Sequence, residues 1–519
     1  QNLETGSFQT SNVLNYNWSG KGHDVTAMVG QEYVERWNRN FKAAASNFPN
    51  DDIGLADLSL GLPTAVQSAE NYDDKLLSFF ARFNYGFKDK YLFTASVRAD
   101  GSSKFGKNNK WGYFPAFSAA WRLGEEEFIK NLNIFSDLKV RLGYGMAGNN
   151  RIDSYLSLAV LGSVTYPNGD STQPGYVSKQ IPNPDLKWEV KRMFDIGIDA
   201  GFFEDRLTGT LDYYYSKTSD LLYKYAVPVP PFAFNTLLAN LGEMENTGIE
   251  VAVTGVPVKT KDMELTISAN FSWQKNKLLS LSGSYMGQSL SAKEYMNLGG
   301  MNGAGFIGGN NQVIYQMVGQ PLGVFYLPKC DGLIDMNGNG EYTYHILDID
   351  GQEGIDLSDG KDRYVAGQAM PKFYLGGNIS FRYKQFDIQT QFSGAFGHKI
   401  YNGTSLSYMN MSLFPTYNVM KGAPEKNIHD QTVTDYWLER GYYVHIDYVT
   451  LGWNLNTKNL KNINSLRLTF SVNNLATITN YSGLSPMINS STVGSDLGVD
   501  DKRFYPLTRT YSLGLSLNF

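Results

Sequence analysis

One cysteine in 519 residues, Cys330, leaves no partner for an internal disulfide, so a disulfide-stapled scaffold is excluded. Charge is scarce as well: Asp, Glu, Lys and Arg make up 18% of the chain, against about 25% in ordinary soluble domains. The formal net charge of −5 comes without a basic block, which removes nucleic acid as an expected partner. No stretch of about 18 apolar residues occurs, so a membrane-spanning helix is excluded on length. The opening residues, QNLETGSFQTSNVLNYNWSG, contain neither the charged nor the apolar region of an export signal.

What the chain has instead is glycine (52), tyrosine (34), phenylalanine (30) and strict alternation. Period-two patterning over eight or more residues marks a strand with two unlike faces. Phe79, Ala81, Phe83, Tyr85 and Phe87 share one face, and after Lys88-Asp89-Lys90 so do Tyr91, Phe93, Ala95 and Val97. The same hairpin signature joins 194–202 to 207–215, 249–253 to 265–273, 375–383 to 386–396, and 449–455 to 466–472. The opposite faces carry Thr266, Ser268, Asn270 and Ser272, or Asp387, Gln389, Gln391 and Ser393. The closing stretch YPLTRTYSLGLSLNF repeats the habit, with Tyr511, Leu513, Leu515, Leu517 and Phe519 on one side.

A half-buried strand of a soluble sheet explains any one such stretch, but fifteen share the pattern: 12–19, 23–35, 77–87, 90–99, 115–123, 137–146, 186–203, 206–216, 247–256, 263–275, 373–383, 386–396, 444–456, 465–474 and 508–519. Turns within pairs are short, whereas 146–186, 217–247, 274–372, 397–443 and 475–507 are long. Short turns on one side and long loops on the other belong to outer-membrane barrels. The expected fold is all-β, a transmembrane antiparallel barrel over 1–519 with an apolar outside and a wet inside. Single-chain bacterial barrels have even strand numbers; an odd count predicts that residue 1 enters a barrel already begun.

Longer segments carry a resemblance. KYLFTASVRADGSSKFGKNNKWGYFPAFSAAWRLGEEEFIK (90–130), LKVRLGYGMAGNN (138–150), NPDLKWEVKRMFDIGIDAGFFEDRLTGTLDYYYSKTSDLL (183–222), GEMENTGIEVAV (242–253), DYWLERGYYVHIDYVTLGWNL (435–455) and VNNLATITNYSGLSPMI (472–488) resemble, in order, the SusC/RagA-like TonB-dependent transporters of Bacteroidetes outer membranes. That resemblance implies a barrel of about 22 strands closed by a plug, of which this chain holds the C-terminal fifteen or so, without the plug and first strands. It further implies TonB-dependent import of oligosaccharides or peptides, a SusD-like surface lipoprotein as partner, and coupling to TonB–ExbB–ExbD. The competing readings are a passive porin and, more remotely, a barrel enzyme.

The most chemical-looking stretch is CDGLIDMNGNGEYTYHILDIDGQEGIDLSDGKDRYVAG (330–367). Asp335, Asn337, Asn339 and Glu341 place oxygens at alternate positions around two glycines, a spacing that wraps a hard cation such as Ca²⁺. A full EF-hand needs Glu at position twelve, where Ile346 stands. The family's compact acidic loop, as the resemblance has it, is split here by an insertion, which leaves Asp356 and Asp362 to complete the set, with Asp348 and Asp350 as alternatives. The competing reading is a solvated Gly/Asp-rich turn. The five histidines are scattered without zinc spacing, and no Gly-x-Ser-x-Gly elbow supports a catalytic triad; no enzyme activity is expected. GMNGAGFIGGNN (300–311) reads as a mobile loop. Trp111, Tyr401, Tyr408, Tyr417 and Trp437 are either platforms for sugar rings or peptide side chains, or part of an interfacial aromatic girdle.

Overall fold

A computed structural model describes residues 2–49, 57–169, 171–230, 232–285, 288–291, 295–300, 312–352, 354–357, 361–412, 414–457, 463–490, 497–501, 505 and 507–519. Most of GMNGAGFIGGNN falls outside these residues, so the reading of 300–311 as a mobile loop does too.

Among the described residues the alternating segments form one sheet of fifteen strands, each paired with its sequence neighbour in that sheet. We number them β1 (Asn2–Gly20), β2 (His23–Ser46), β3 (Leu62–Phe87), β4 (Tyr91–Ser102), β5 (Trp111–Trp121), β6 (Phe135–Asn149), β7 (Glu189–Phe202), β8 (Leu207–Ser219), β9 (Glu243–Lys259), β10 (Met263–Ser280), β11 (Phe373–Tyr383), β12 (Phe386–Phe396), β13 (Tyr443–Leu455), β14 (Ser465–Thr479) and β15 (Thr510–Asn518). All fourteen pairings between neighbours are antiparallel. Each predicted hairpin is present, and the strands run past the predicted limits chiefly at their upper, long-loop ends: 12–19 becomes Asn2–Gly20 and 77–87 becomes Leu62–Phe87. Among the described residues no helix is long and apolar enough to cross a membrane.

The two faces divide as the alternation requires. Phe79, Phe83, Phe93, Val97, Phe117, Leu142, Phe194, Ile196, Ile198 and Leu211 are exposed, and so are Leu451, Leu468, Leu513 and Leu515 on the later strands. In a soluble protein such a continuous apolar patch would be an aggregation hazard; as the outside of a barrel it is the surface that hydrocarbon covers. Lower turns stay tight because residues such as Lys88, Asp89, Glu204 and Asp205 adopt left-handed backbone with φ between 52° and 60°.

Conventional core lies above the sheet. The largest fully buried side chains are Tyr401, Phe105, Phe325, Leu186, Leu237, Leu241, Leu278, Ile314, Leu327, Ile400 and Leu406, all at or beyond the upper strand ends. The long connections are therefore folded. Leu161–Asn168 pairs with Ser171–Ser178, and Leu222–Ala226 with Thr236–Asn240.

The face assignment has a direct test. Leu211→Arg on the outer face of β8 should lower the folding free energy in lipid vesicles by ~2–4 kcal/mol, whereas Thr210→Arg on the inner face should cost less than ~1 kcal/mol. Denaturant titration of the two variants in the same vesicles separates them.

Candidate functional site: polar wall and folded cap

The inner face of β8 to β12 carries a recess of about 770 Å³ lined by Asp212, Glu250, Asn270, Asn378, Gln391 and Ser393 among others. These polar side chains alternate with the outward apolar ones, so the strand period itself places them in the lumen. Beside the recess the wall is held by ion pairs across strands. Arg141 on β6 grips Asp199 on β7 with Nε to Oδ2 at 2.9 Å and Nη2 to Oδ1 at 2.8 Å, and reaches Asp212 on β8 at 2.8 Å. Lys139 adds a contact of 2.8 Å to Asp199. To reach β8, Arg141 passes over Gly197, where a Cβ would collide with Asp212 Oδ1 and Arg141 Nη2. The device recurs: Arg467 on β14 crosses Gly452 on β13 to hold Asp387 on β12 at 2.6 and 2.7 Å. Two-pronged arginine–carboxylate contacts are among the stronger charge-assisted hydrogen bonds.

Over the wall stands the cap. Val313, Ile314, Phe325, Leu327, Tyr344, Tyr401, Leu406, Ile428, Trp437 and Val499 form one buried cluster contributed by three long loops. Lys399–Asn402 lies between Leu438–Arg440 and Val499–Asp500 as a small sheet. Two carboxylates, one of them buried, tie the pieces together. Asp435 accepts from the Cys330 amide at 2.7 Å and the Tyr364 hydroxyl at 2.6 Å, and Asp500 accepts from Thr404 Oγ1 at 2.6 Å and the Tyr481 hydroxyl at 2.8 Å. Burial pushes the Tyr344 and Tyr401 phenols well above their ordinary range.

The cap corrects part of the sequence reading. Tyr401 and Trp437 are neither platforms nor girdle: Tyr401 is fully buried, and Trp437 donates Nε1–H to the Tyr344 hydroxyl at 2.7 Å inside the cluster. Trp111 is exposed and stacks on Phe79 with ring centroids 6.1 Å apart, which suits the girdle. Tyr417 is exposed and Tyr408 half-buried.

Two of the family-like motifs turn out to be a docking pair. In SSKFG and NPDLKW, Phe105, Leu186 and Trp188 pack with Phe114, Trp188 lying 5.1 Å from the Phe105 ring and 5.3 Å from that of Phe114. Trp188 Nε1 donates to the Lys110 carbonyl at 2.9 Å, and Asn183 Nδ2 to the Leu238 carbonyl at 2.8 Å. Gly106 lies so close to the Pro184 carbonyl that any Cβ would overlap it. No period links residues about 80 positions apart, so this contact was invisible in the sequence.

The acidic stretch divides into two places. Asp335, Asn337, Asn339 and Glu341 occupy the tip of the hairpin formed by Cys330–Ile334 and Thr343–Ile346. There Asp335 accepts from the amides of Gly340 at 2.9 Å and Asn339 at 3.3 Å, and the Gly340 amide holds its carboxyl below the usual range. Asp362 sits at the base instead. It accepts amide hydrogens from Asp356 at 2.7 Å and Ile349 at 2.8 Å, which lower its pKa. Its carboxylate, with Asp348 and Asp350, brings oxygens within 4.8 Å of one another. Asp356 contributes its amide to that cluster while its carboxylate meets Lys361 at 3.0 Å. Asp348, Asp350 and Asp362 are thus the residues that could hold a cation, separately from the Asp335–Glu341 tip.

Taken together, a lipid-facing sheet, a polar inner wall and a folded cap of long loops define an outer-membrane β-barrel. The chain belongs to the TonB dependent receptor-like, beta-barrel family, which it matches over residues 1–475. It is SusC/RagA-like within that family. TonB-dependent receptor P3 of Formosa agariphila is 31% identical over 98% of this chain and 52% of that protein, and TonB-dependent receptor SusC of Bacteroides thetaiotaomicron is 30% identical over 96% and 48%. Among solved structures, the RagAB peptide transporter superposes with a TM-score of 0.80 at 25% identity, covering all of this chain and 56% of that one. The chain spans about half the length of the curated relatives it matches. The protein resides in the outer membrane.

One cap residue makes the cap sensitive to acid. His398 is 2% exposed, its Nδ1 has no hydrogen-bond partner among the described residues, and burial pulls its pKa from 6.5 down to about 4. Because the unfolded cap binds this proton more readily, stability is full above pH 6.5, falls as pH drops toward 4, and the loss saturates below that value. The loss amounts to ~3 kcal/mol. Hydrogen exchange across 397–443 should accelerate over that interval in the native protein and far less in His398→Phe.

Proposed function

We propose that this chain forms barrel wall and cap of a TonB-dependent importer of oligosaccharides or peptides, working with a SusD-like lipoprotein that closes over the cap and drawing energy from TonB–ExbB–ExbD. The observation that carries this reading is the match of 96% of this chain to about half of SusC, on a structure whose long loops are built into a packed cap above a polar wall. Tyrosines, amides and carboxylates on the wall offer the alternating donors and acceptors that hydroxyl-rich or peptide ligands need. The relatives and neighbours are receptors and transporters, and the chain acts here without catalysis.

Deleting the gene should abolish uptake of one class of labelled oligosaccharide or peptide, and dissipating the proton gradient should stop uptake in the parent strain. Unchanged uptake of every labelled ligand would remove the proposal. A large steady conductance of the full-length protein in planar bilayers would favour the porin reading instead.

The same proposal includes a structural Ca²⁺ on Asp348, Asp350 and Asp362. Oxygens within 4.8 Å of one another fit a cation with Ca–O distances of about 2.3–2.6 Å. A chelator should then increase hydrogen exchange of 347–363 in the native protein and leave Asp350→Asn unaffected; equal behaviour of both proteins would remove Ca²⁺ from the account.

A further inference from the structure

Four basic side chains stand together on the outer side of β7 to β10, at one height. The outward face of β8 runs Leu207, Leu211, Tyr213, Tyr215 and then Lys217; that of β10 runs Leu265, Ile267, Phe271, Trp273 and then Lys275 and Lys277. On β7 it climbs from Phe202 through Ile198, Ile196 and Phe194 to Arg192. On β7 and β8 charge first appears ten positions above the lowest apolar residue, and on β10 ten above Leu265, with Met263 two positions lower. Ten residues rising ~3.3 Å each at a tilt of ~40° climb about 25 Å, the height of the apolar band of such barrels. The cations therefore begin where hydrocarbon ends, in the outer leaflet.

The register makes them one patch. Arg192 is opposite Lys217, Lys217 opposite Glu245, and Glu245 opposite Lys277, with Lys275 directly below, opposite Thr247. Two carboxylates answer four cations. Glu243 takes Lys217 at 2.8 Å, and Glu245 accepts from the Tyr215 hydroxyl at 3.3 Å. Arg192 has only the neutral Ser219 hydroxyl at 3.0 Å. Among the described residues Arg192, Lys275 and Lys277 form no ion pair, while the neighbouring Lys187 and Asp220 satisfy each other at 2.9 Å. On the flanking strands Met146 lies opposite Arg192 on β6, while the pairing with β11 ends just below the lysines, with Phe373 opposite Trp273.

We propose that this patch binds the phosphate groups of an anionic outer-leaflet lipid. Cations above an aromatic girdle, short of carboxylates and facing the membrane, find their counter-charge in the headgroup layer. The lipid's chains then lie on Phe194, Tyr213, Phe271 and Trp273 below, a hydrophobic contact that free phosphate lacks.

The test titrates the full-length protein in mixed micelles with phosphatidylglycerol or phosphatidylcholine and counts bound lipids by native mass spectrometry. The native protein should prefer phosphatidylglycerol, and added salt should weaken that preference. Arg192→Gln/Lys275→Gln/Lys277→Gln should bind phosphatidylglycerol about 100-fold more weakly, roughly fivefold per cation removed. Lys275→Arg/Lys277→Arg should bind it normally and controls for folding. Equal retention by the triple glutamine variant, or no preference in the native protein, would overturn the site. Full competition by millimolar inorganic phosphate would overturn the lipid assignment. None of these readouts depends on import.

Discussion

A peptide group in hydrocarbon has no water to bond, so each N–H and C=O in the spanning region must meet one on a neighbouring strand. That requirement organises the chain. Among the described residues it puts fifteen strands side by side in sequence order, keeps most lower turns to a few residues, and sends the longest connections to the upper side. Side chains on the outer face need only be apolar, which is why leucine, isoleucine, valine and aromatics interchange freely there.

With the sheet's outside turned toward lipid and its inside toward water, the packed interior of a soluble protein has moved into the loops. The cap cluster around Phe325, Tyr401 and Trp437 and the smaller cluster around Phe105, Leu186 and Trp188 contain most of the fully buried large side chains, of which the strands of the sheet supply Leu278 at the upper end of β10. Cap, wall and membrane patch then fall into layers. Asp435 and Asp500 bind separate loops into one body, and the cap's single buried histidine sits at the junction with β12. The wall below presents amides and carboxylates at fixed spacing to the lumen.

The barrel was legible because lipid enforces alternation over every spanning segment, and strands such as Phe373–Tyr383 and Phe386–Phe396 were readable to the residue. Legibility ends where the lipid ends. NLETGSFQTSN continues as a strand above the membrane, where both faces meet water and no apolar period marks it, and Leu62–Phe87 likewise begins fifteen residues before its predicted limit. The cap was illegible for another reason, since its members come from loops that share no period, and Trp437 in a polar stretch looks like any surface aromatic. The acidic segment was visible as chemistry but not as geometry: a hairpin carries Asp335 away from Asp362, and only the folded backbone puts Asp362 beside Asp348 and Asp350.

The arginines that step over Gly197 and Gly452 bolt three strands at a time. A wall fastened this way resists the sliding of one strand past the next, because any shift by a single residue would turn the arginine toward the bilayer and bring a side chain under its arm. Motion in this chain is therefore assigned by elimination to the parts that are not bolted, the loop-built roof.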